Sequence, residues 1–288
     1  IHKLLDSILV QTYPNIEMLV IDDGSTDNSE KIIKSYISRF SKKGYKLDYV
    51  YQENKGQSAA INNGLKLVSG DYLVWPDSDD YYADPSTILE MARVLNGSDS
   101  ETSMVRVQYS ILNESEEVID SLGVNDTTKY KIDLFEDAIF GSNGFWFPSG
   151  GYMAKVSKVD ELIPNREIYT ERNAGQNFQL YLPLLYQQKC LTIEKYLYNI
   201  VAHDDSHSRN IATNNDRQRI YHRTIKKTVG KIPLNVEYRK HLMKKLHGIT
   251  VGDTPINQRN IPYRTYIKKA IKGIIPYGLM ILYKRRHH

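Results

Sequence analysis

The hexapeptide Trp75-Pro76-Asp77-Ser78-Asp79-Asp80 places three carboxylates within four residues, directly after the apolar run Tyr72 to Trp75. The run is typical of a short buried strand, and the proline ends it. Carboxylates this close repel one another and raise each other's pKa unless a cation lies among them. Two interpretations are open. One is a solvated acidic turn or helix cap. The other is a site for a divalent ion, Mg²⁺ or Mn²⁺, that grips the phosphates of a substrate.

Strand and helix patterns alternate through the first hundred residues. Apolar periodicity predicts helices over 4–9, 29–40, 58–68 and 85–95, and strands over 16–21, 47–51 and 72–75. The alternation indicates an α/β fold with a mostly parallel central sheet flanked by helices. Ligands of such sheets bind at the carboxyl ends of the strands. Asp22 and Asp23 follow one strand and Asp77 to Asp80 follow another, so both acidic groups are expected on one edge.

The second half of the chain has fewer clear patterns. The sequence predicts strands over 104–112 and 191–201, a strand-like segment with a tight turn over 145–154, and helices over 177–186, 217–229, 236–246 and 266–283. We therefore expect two regions: an α/β domain over residues 1–210 and a basic helical C-terminal extension over residues 211–288.

Composition sets broad limits on the protein. The chain has 288 residues, of which 41% are hydrophobic and 25% charged, as in ordinary globular proteins. Its single cysteine, Cys190, excludes an intramolecular disulfide framework and a cysteine zinc cluster, and fits a reducing, cytoplasmic location.

Charge is distributed unevenly along the chain. Residues 210–288 carry 18 lysines and arginines against 3 acidic residues, whereas the net charge of the whole chain is only +4. Such a basic region can face nucleic acid or an anionic membrane. No nucleic-acid-binding motif is present, so nucleic acid is not an expected partner.

Five blocks together resemble the family 2 glycosyltransferases of the GT-A fold. They are SILVQTYPNIE (7–17), IDDGSTDNS (21–29), NKGQSAAINNG (54–64), SGDYLVWPDSDD (69–80) and FPSGGYM (147–153). Their order and spacing agree over roughly residues 1–210. The resemblance implies an enzyme that moves a sugar from a nucleotide-sugar, in most cases a UDP-sugar, to a hydroxyl of a glycan, lipid-linked glycan or glycoprotein.

The resemblance also implies residue roles. Asp22, Asp23 and Lys55 would contact the nucleotide, and Asp77 would face the ribose or a metal-bound water. Asp79 would coordinate Mn²⁺ or Mg²⁺, which bridges the diphosphate and stabilises it as a leaving group. The second metal ligand would be His203, in a loop that can close over the donor. The remaining residues of the implied donor and acceptor pocket are Ser78, Asp80, Gly150, Gly151, Gln176 and Arg209.

Three features depart from the family pattern. Asn177 occupies the usual position of the general base, and an amide cannot take a proton from the acceptor. Glu171, six residues earlier, is the alternative base, although its place in a loop favours the interpretation as a solvated carboxylate. Ile61 replaces an arginine that relatives direct at the nucleotide. The first strand of the family is missing, so we expect the native protein to begin further upstream.

The C-terminal segment 266–286 combines isoleucines with lysines and arginines. Its apolar run is too short to span a bilayer. It can lie in the membrane interface, at the inner face of the cell membrane, or pack on the enzyme.

Two other functions stay open for the protein as a whole. One is a nucleotidyltransferase of related fold, and the other is a non-catalytic nucleotide-sugar-binding protein, which Asn177 would suit.

Overall fold

The computed structural model describes residues 1–125, 130–145, 148–170, 176–202, 215–248 and 279–283. Its strands are β1 Ile16–Asp23, β2 Lys46–Gln52, β3 Tyr72–Val74, β4 Tyr81–Tyr82, β5 Thr102–Leu112, β6 Val118–Leu122, β7 Tyr152–Lys155, β8 Lys189–Val201 and β9 Leu279–Tyr283. Its α-helices are α1 His2–Leu9, α2 Ser29–Lys43, α3 Gln57–Leu67, α4 Thr87–Asn96, α5 Phe135–Phe140, α6 Val156–Leu162, α7 Gln176–Leu185, α8 Asn215–Lys231 and α9 Val236–Gly248.

The strands form one mixed sheet. Their order is β2-β1-β9-β3-β7-β5-β8-β4, and β6 pairs with the last four residues of β5, Tyr109 to Leu112. Among the described strands, β1 and β2 are parallel, as are β5 and β8, and the other neighbouring pairs are antiparallel. The expectation of a mostly parallel sheet was therefore wrong. Parallel pairing occurs where helices cross between strands, whereas β7 and β9 enter the sheet in the opposite direction.

Strand β9 corrects the last five residues of the helix predicted over 266–283, and residues 266–278 lie outside the described residues. Residues 279–283 pair antiparallel with both β1 and β3 and fill the position between them. Their sequence, LMILY, is a continuous apolar run, which suits a central strand covered on both faces. Because β1 and β3 are both antiparallel to β9, they run in the same direction. Their carboxyl ends therefore lie at one edge of the sheet.

Helices cover the sheet through their apolar faces. Leu4, Leu5 and Ile8 of α1 are buried, and α2 to α4 bury residues at similar spacings. Ile61 belongs to this set: it is 4% exposed and packs in the core. An apolar residue at this position therefore has a structural explanation, namely its place on the buried face of α3.

Helices α8 and α9 pack against the rest of the protein. Helix α8 lies against α7, and α9 lies against α8. The Tyr238 hydroxyl of α9 donates a hydrogen bond to Glu136 of α5 at 2.9 Å, and Lys245 Nζ lies 3.3 Å from the same carboxylate. Within the described residues, no helix combines the length and the apolar character needed to cross a membrane.

Candidate active site

Asp77 lies just beyond the carboxyl end of β3, where polar groups from two other segments meet it. Ser149 Oγ donates a hydrogen bond to Asp77 Oδ2 at 2.8 Å, and Gln57 Nε2 lies 3.4 Å from Oδ1. Burial, together with the negative charge of Asp79, raises the pKa of Asp77 to about 7. A cation placed among these carboxylates would offset that repulsion.

Asp80 has a different environment. It is 5% exposed, its Oδ1 accepts a hydrogen bond from the Val201 N–H at 3.0 Å, and its Oδ2 accepts one from the Tyr198 hydroxyl at 3.3 Å. Burial and the charges of Asp79 and Asp77 raise its pKa well above the usual range. These contacts favour a role in fixing β8 to the acidic turn over the pocket role that we expected.

Asp79 and Ser78 complete the acidic turn. Ser78 is buried, whereas Asp79, like Asp77, is partly exposed. Within the described residues, no three His, Cys, Asp or Glu side chains form a ready group of metal ligands. The chemistry of the turn nevertheless fits a divalent ion, since hard oxygen donors and mutual repulsion are both present.

Asp22 and Asp23 anchor the end of β1 through internal hydrogen bonds. Asp22 accepts hydrogen bonds from the Ser25 N–H and the Tyr49 hydroxyl, each at 2.7 Å. Asp23 Oδ1 accepts hydrogen bonds from Gln52 Nε2 at 2.6 Å and the Lys55 N–H at 2.8 Å, and its Oδ2 accepts one from the Gly56 N–H at 2.8 Å. A carboxylate oxygen has two lone pairs, so Asp23 Oδ2 can accept one further donor.

The first turn of α3 joins the two acidic groups. Gly56 donates to Asp23 at the end of β1, and its neighbour Gln57 donates to Asp77 beyond β3. Gly24 allows this close packing, because its backbone has φ 81° and an added Cβ would lie 2.8 Å from the backbone nitrogen of Asn54. The expectation that both acidic groups share one edge is therefore confirmed.

Lys55 occupies the turn that precedes α3. Its side chain is exposed, while its backbone N–H is held by Asp23. The structure therefore places an exposed cation near the first turn of α3, where helix N–H groups also favour an anion.

The turn Ser149–Gly151 packs directly against β8. A Cβ added to Gly150 would lie 2.5 Å from ring atoms of Tyr198, and one added to Gly151 would lie 2.9 Å from Pro148. Glycine is therefore needed at position 150 for the approach of this turn to the tyrosine. Ser149, the first residue of this turn, donates its hydroxyl hydrogen bond to Asp77.

Asn177 lies in the first turn of α7 and contacts the start of the acidic segment. Its Oδ1 accepts a hydrogen bond from Trp75 Nε1 at 3.3 Å. The Trp75 ring also packs on Tyr181, one helical turn further along α7, with centroids 5.2 Å apart. Gln176 precedes Asn177 and is half-buried. Asn177 thus links α7 to β3, and its amide gives no basic group.

Two buried amide side chains hold the segment that leads toward Glu171. Asn62 of α3 exchanges two hydrogen bonds with the backbone of Ile168, both at 2.9 Å. Gln179 of α7 exchanges two with the backbone of Tyr169, at 2.6 and 2.8 Å. We call these four hydrogen bonds the amide clamp. The amide clamp connects α3, at the nucleotide side predicted from the sequence, to α7.

Sequence reasoning missed several of these contacts. Gln57 and Ser149 stand inside the blocks quoted above and Gln179 lies in the predicted helix over 177–186, but nothing in a linear pattern shows that they reach Asp77 or Tyr169. Three residues predicted for the site, Glu171, His203 and Arg209, lie outside the described residues.

The family model described as glycosyl transferase family 2 matches residues 1–159. An uncharacterized glycosyltransferase from Rickettsia typhi is 37% identical over 113 residues, which are 39% of this chain and 33% of the relative. Glycosyltransferase GlyA from Streptococcus pneumoniae is 49% identical over 81 residues, 28% of this chain and 11% of GlyA. The chain thus spans a third or less of these two relatives.

Two solved structures share the fold. Staphylococcus aureus TarS, residues 1–349 in complex with UDP-GlcNAc, has a TM-score of 0.64 at 16% identity, covering 85% of this chain and 67% of TarS. The mannosyltransferase PcManGT from Pyrobaculum calidifontis, in complex with GDP-Man and Mn²⁺, has a TM-score of 0.56 at 16% identity, covering 89% and 68%. The GT-A fold predicted from the sequence is confirmed, and with a family model that matches more than half of its length the chain belongs to glycosyl transferase family 2.

Proposed function

We propose that this protein transfers a sugar from a nucleotide-sugar, most favourably a UDP-sugar, to a hydroxyl of a glycan, lipid-linked glycan or glycoprotein. The observation that carries the proposal is the first turn of α3, where Gly56 and Gln57 join Asp23 to Asp77. This arrangement sets two acidic groups beside a helix start that can accept a diphosphate. In this proposal Asp22, Asp23 and Lys55 bind the nucleotide.

We propose that Asp79, with His203 as the second candidate ligand, holds a divalent ion. When bound, Mn²⁺ or Mg²⁺ would neutralise the diphosphate and stabilise it as a leaving group. Support comes from the crowded carboxylates, since repulsion contributes to the raised pKa of both Asp77 and Asp80. The structural neighbour PcManGT was solved with GDP-Man and Mn²⁺.

The acceptor hydroxyl needs a base if it is to attack the anomeric carbon in line and invert its configuration. Asn177 cannot act as this base, because an amide nitrogen does not accept a proton and its oxygen already binds Trp75. We propose Glu171 for this role. It follows Tyr169, whose backbone Gln179 holds, by two residues.

A donor screen tests the function directly. The protein is incubated with UDP-GlcNAc, UDP-glucose, UDP-galactose or GDP-mannose in the presence of Mn²⁺, and the released nucleotide is identified. We expect release of free UDP from at least one UDP-sugar. In a parallel sample with added pyrophosphate, formation of UTP and the sugar 1-phosphate instead would indicate a nucleotidyltransferase.

A non-catalytic binding role is the second candidate function, and Asn177 is the observation that favours it. That role predicts that calorimetry detects binding of a nucleotide-sugar while neither hydrolysis nor transfer follows. Full-length protein and a range of hydroxyl acceptors are needed for this comparison, because the chain matches only part of its relatives.

A further inference from the structure

Helix α8 presents a stripe of four exposed cations. Arg219, Arg223, Lys227 and Lys231 follow one another at four-residue steps, and all four side chains are exposed. Residues four apart are neighbours on one face of a helix, about 6 Å apart along its axis. The cationic stripe, as we call these four residues, therefore extends about 18 Å along α8.

The cationic stripe passes beside the candidate active site. Lys227 Nζ lies 3.8 Å from the centroid of the Tyr169 ring. The backbone of Tyr169 is held by Gln179 of α7, and the first turn of α7 contacts Trp75 through Asn177. A ligand lying along the cationic stripe would thus reach the edge of the site between α3 and α7.

Acidic residues are few in this part of the chain. Residues 203–248 contain 11 lysines and arginines but only 4 aspartates and glutamates. Glu136 of α5 adds one acidic partner, for Lys245, so the segment itself is strongly basic. Like charges at four-residue spacing also destabilise a helix by a few tenths of a kcal/mol per pair, so the stripe opposes folding in isolation.

The opposite face of α8 is buried against the protein, which bears on the kind of ligand that the cationic stripe can bind. Ile225 and Val229 are buried, as are Thr224 and Thr228, so the apolar side of the helix is already used in packing on the protein. A helix that lies in a membrane interface needs an exposed apolar face beside its cations. Among its described side chains α8 has no large exposed apolar group, which favours a charged ligand over a lipid surface.

We propose that the cationic stripe binds phosphate groups of the acceptor, and that the acceptor is therefore a phosphate-bearing glycan or glycan precursor. Arginine binds phosphate bidentately and lysine binds it as a point charge, so both residue types suit this ligand. Lys227 contacts the ring of Tyr169, whose backbone the amide clamp holds between α3 and α7. The identification of the ligand as the acceptor rests on the proposed function. The binding of phosphate groups by the cationic stripe does not depend on it.

Lysine footprinting tests the surface on the intact chain. The protein is acetylated with a water-soluble reagent in the presence of linear inorganic polyphosphate, of phosphatidylglycerol vesicles, or of neutral maltoheptaose, and each lysine is quantified by mass spectrometry. We expect polyphosphate to protect Lys227 and Lys231, while Lys31 and Lys42 on the exposed face of α2 stay reactive. Protection of neither pair, equal protection of both pairs, or protection by vesicles alone would overturn the proposal.

A matched pair of variants gives the affinity. Lys227→Gln/Lys231→Gln removes two cations from the stripe, and Lys31→Gln/Lys42→Gln removes the same charge from α2. Loss of charge-assisted hydrogen bonds should weaken polyphosphate binding by about tenfold or more in the first variant and by less than about twofold in the second. Equal affinities for the two variants would contradict the inference. Absence of UDP release with every donor would instead count against the proposed function, so the two failures are distinguishable.

Discussion

Asp77 shares a small volume with Asp79 and Asp80, and its protonation should therefore affect stability. Burial and the charge of Asp79 raise its pKa to about 7 in the folded protein, against about 3.9 in an unfolded chain. Between these values the folded state binds more protons than the unfolded state, so stability falls as pH rises from about 4 to about 7. Above pH 7 the full cost of the ionised carboxylate is present.

Asp77→Asn should remove this cost. Its amide can still accept from Gln57 and donate to Ser149, while it carries no charge. We expect the stability of the variant relative to wild type to increase by about 1–3 kcal/mol between pH 5 and pH 8, measured by urea unfolding at both values. Glu53→Gln, at an exposed position, serves as control. A stability difference that does not change with pH would show that Asp77 ionises normally.

A second prediction for a single residue concerns the stability effect of substituting Gly150. Its substitution by alanine forces a methyl group into the fully buried ring of Tyr198, which cannot move away because Asp80 holds its hydroxyl. We expect Gly150→Ala to lower the free energy of unfolding by about 1–3 kcal/mol. Gly230→Ala, where nothing lies within 4 Å, should be neutral or stabilising by up to about 1 kcal/mol. Equal unfolding free energies for the two variants would exclude a close approach at Gly150.

At the level of elements, the amide clamp is the connection most open to test. Asn62→Ala leaves the N–H and C=O groups of Ile168 without their partners, and Gln179→Ala does the same at Tyr169. Each variant should lose about 1–3 kcal/mol of stability. Because the two side chains hold adjacent residues, the double variant should lose less than the sum of the two.

Asn63→Ala is the matched control for this experiment. Asn63 is the next residue of α3, is exposed, and bonds only Gln52 among the contacts described. The change in helix propensity is the same as for Asn62→Ala, so the difference in urea midpoint between the two isolates the clamp. A midpoint for Asn62→Ala equal to that of Asn63→Ala would show that the clamp adds no stability.

The helices and strands predicted from the sequence were those with strong periodic patterns. Helices α1 to α4 and strands β1 to β3 were predicted to within a few residues, because each buries one face or lies wholly in the core. The short elements β4, β6, α5 and α6 were missed, since two to seven residues carry little periodicity. Strand β9 was taken for a helix because its isoleucine-rich flanks also fit helical spacing.

The site was predictable only in part. The shared edge of Asp22-Asp23 and Asp77 followed from strand order, since strands that run in one direction end together. The partners of those carboxylates did not, because they depend on which loops meet in space. Ser149 lies 72 residues after Asp77, and Asn62 lies 106 residues before Ile168. A linear pattern contains no signal for such pairs.

At the scale of the whole molecule, the position of β9 changes how the C-terminal segment should be tested. We proposed from the sequence that residues 266–286 can touch an anionic membrane. Deleting residues 260–288 would also remove Leu279–Tyr283 from the centre of the sheet and would confound the result. The domain boundary near residue 210 stays a prediction, since residues 203–214 lie outside the described ranges.

Charge substitutions avoid this difficulty. Lys268→Gln, Lys269→Gln and Lys272→Gln together remove three cations that precede β9. If this segment binds membranes, the variant should float with phosphatidylglycerol vesicles less than wild type, since each cation near an anionic surface contributes about 1 kcal/mol. With neutral phosphatidylcholine vesicles, the variant and the wild type should float to the same extent. Equal flotation with the anionic vesicles would exclude a membrane role for these lysines.

The central claim is that the carboxylates beyond β3 serve metal-dependent sugar transfer, and Asp79 tests it most directly. The measurement is Mn²⁺-dependent release of UDP from the preferred UDP-sugar by wild type, by Asp79→Ala, and by Asp71→Ala at the other end of β3. Loss of several kcal/mol of leaving-group stabilisation should lower the rate for Asp79→Ala by about 100-fold or more, without loss of thermal stability, since the variant relieves repulsion among the carboxylates. Asp71→Ala should keep the wild-type rate. Wild-type UDP release by Asp79→Ala would contradict the account.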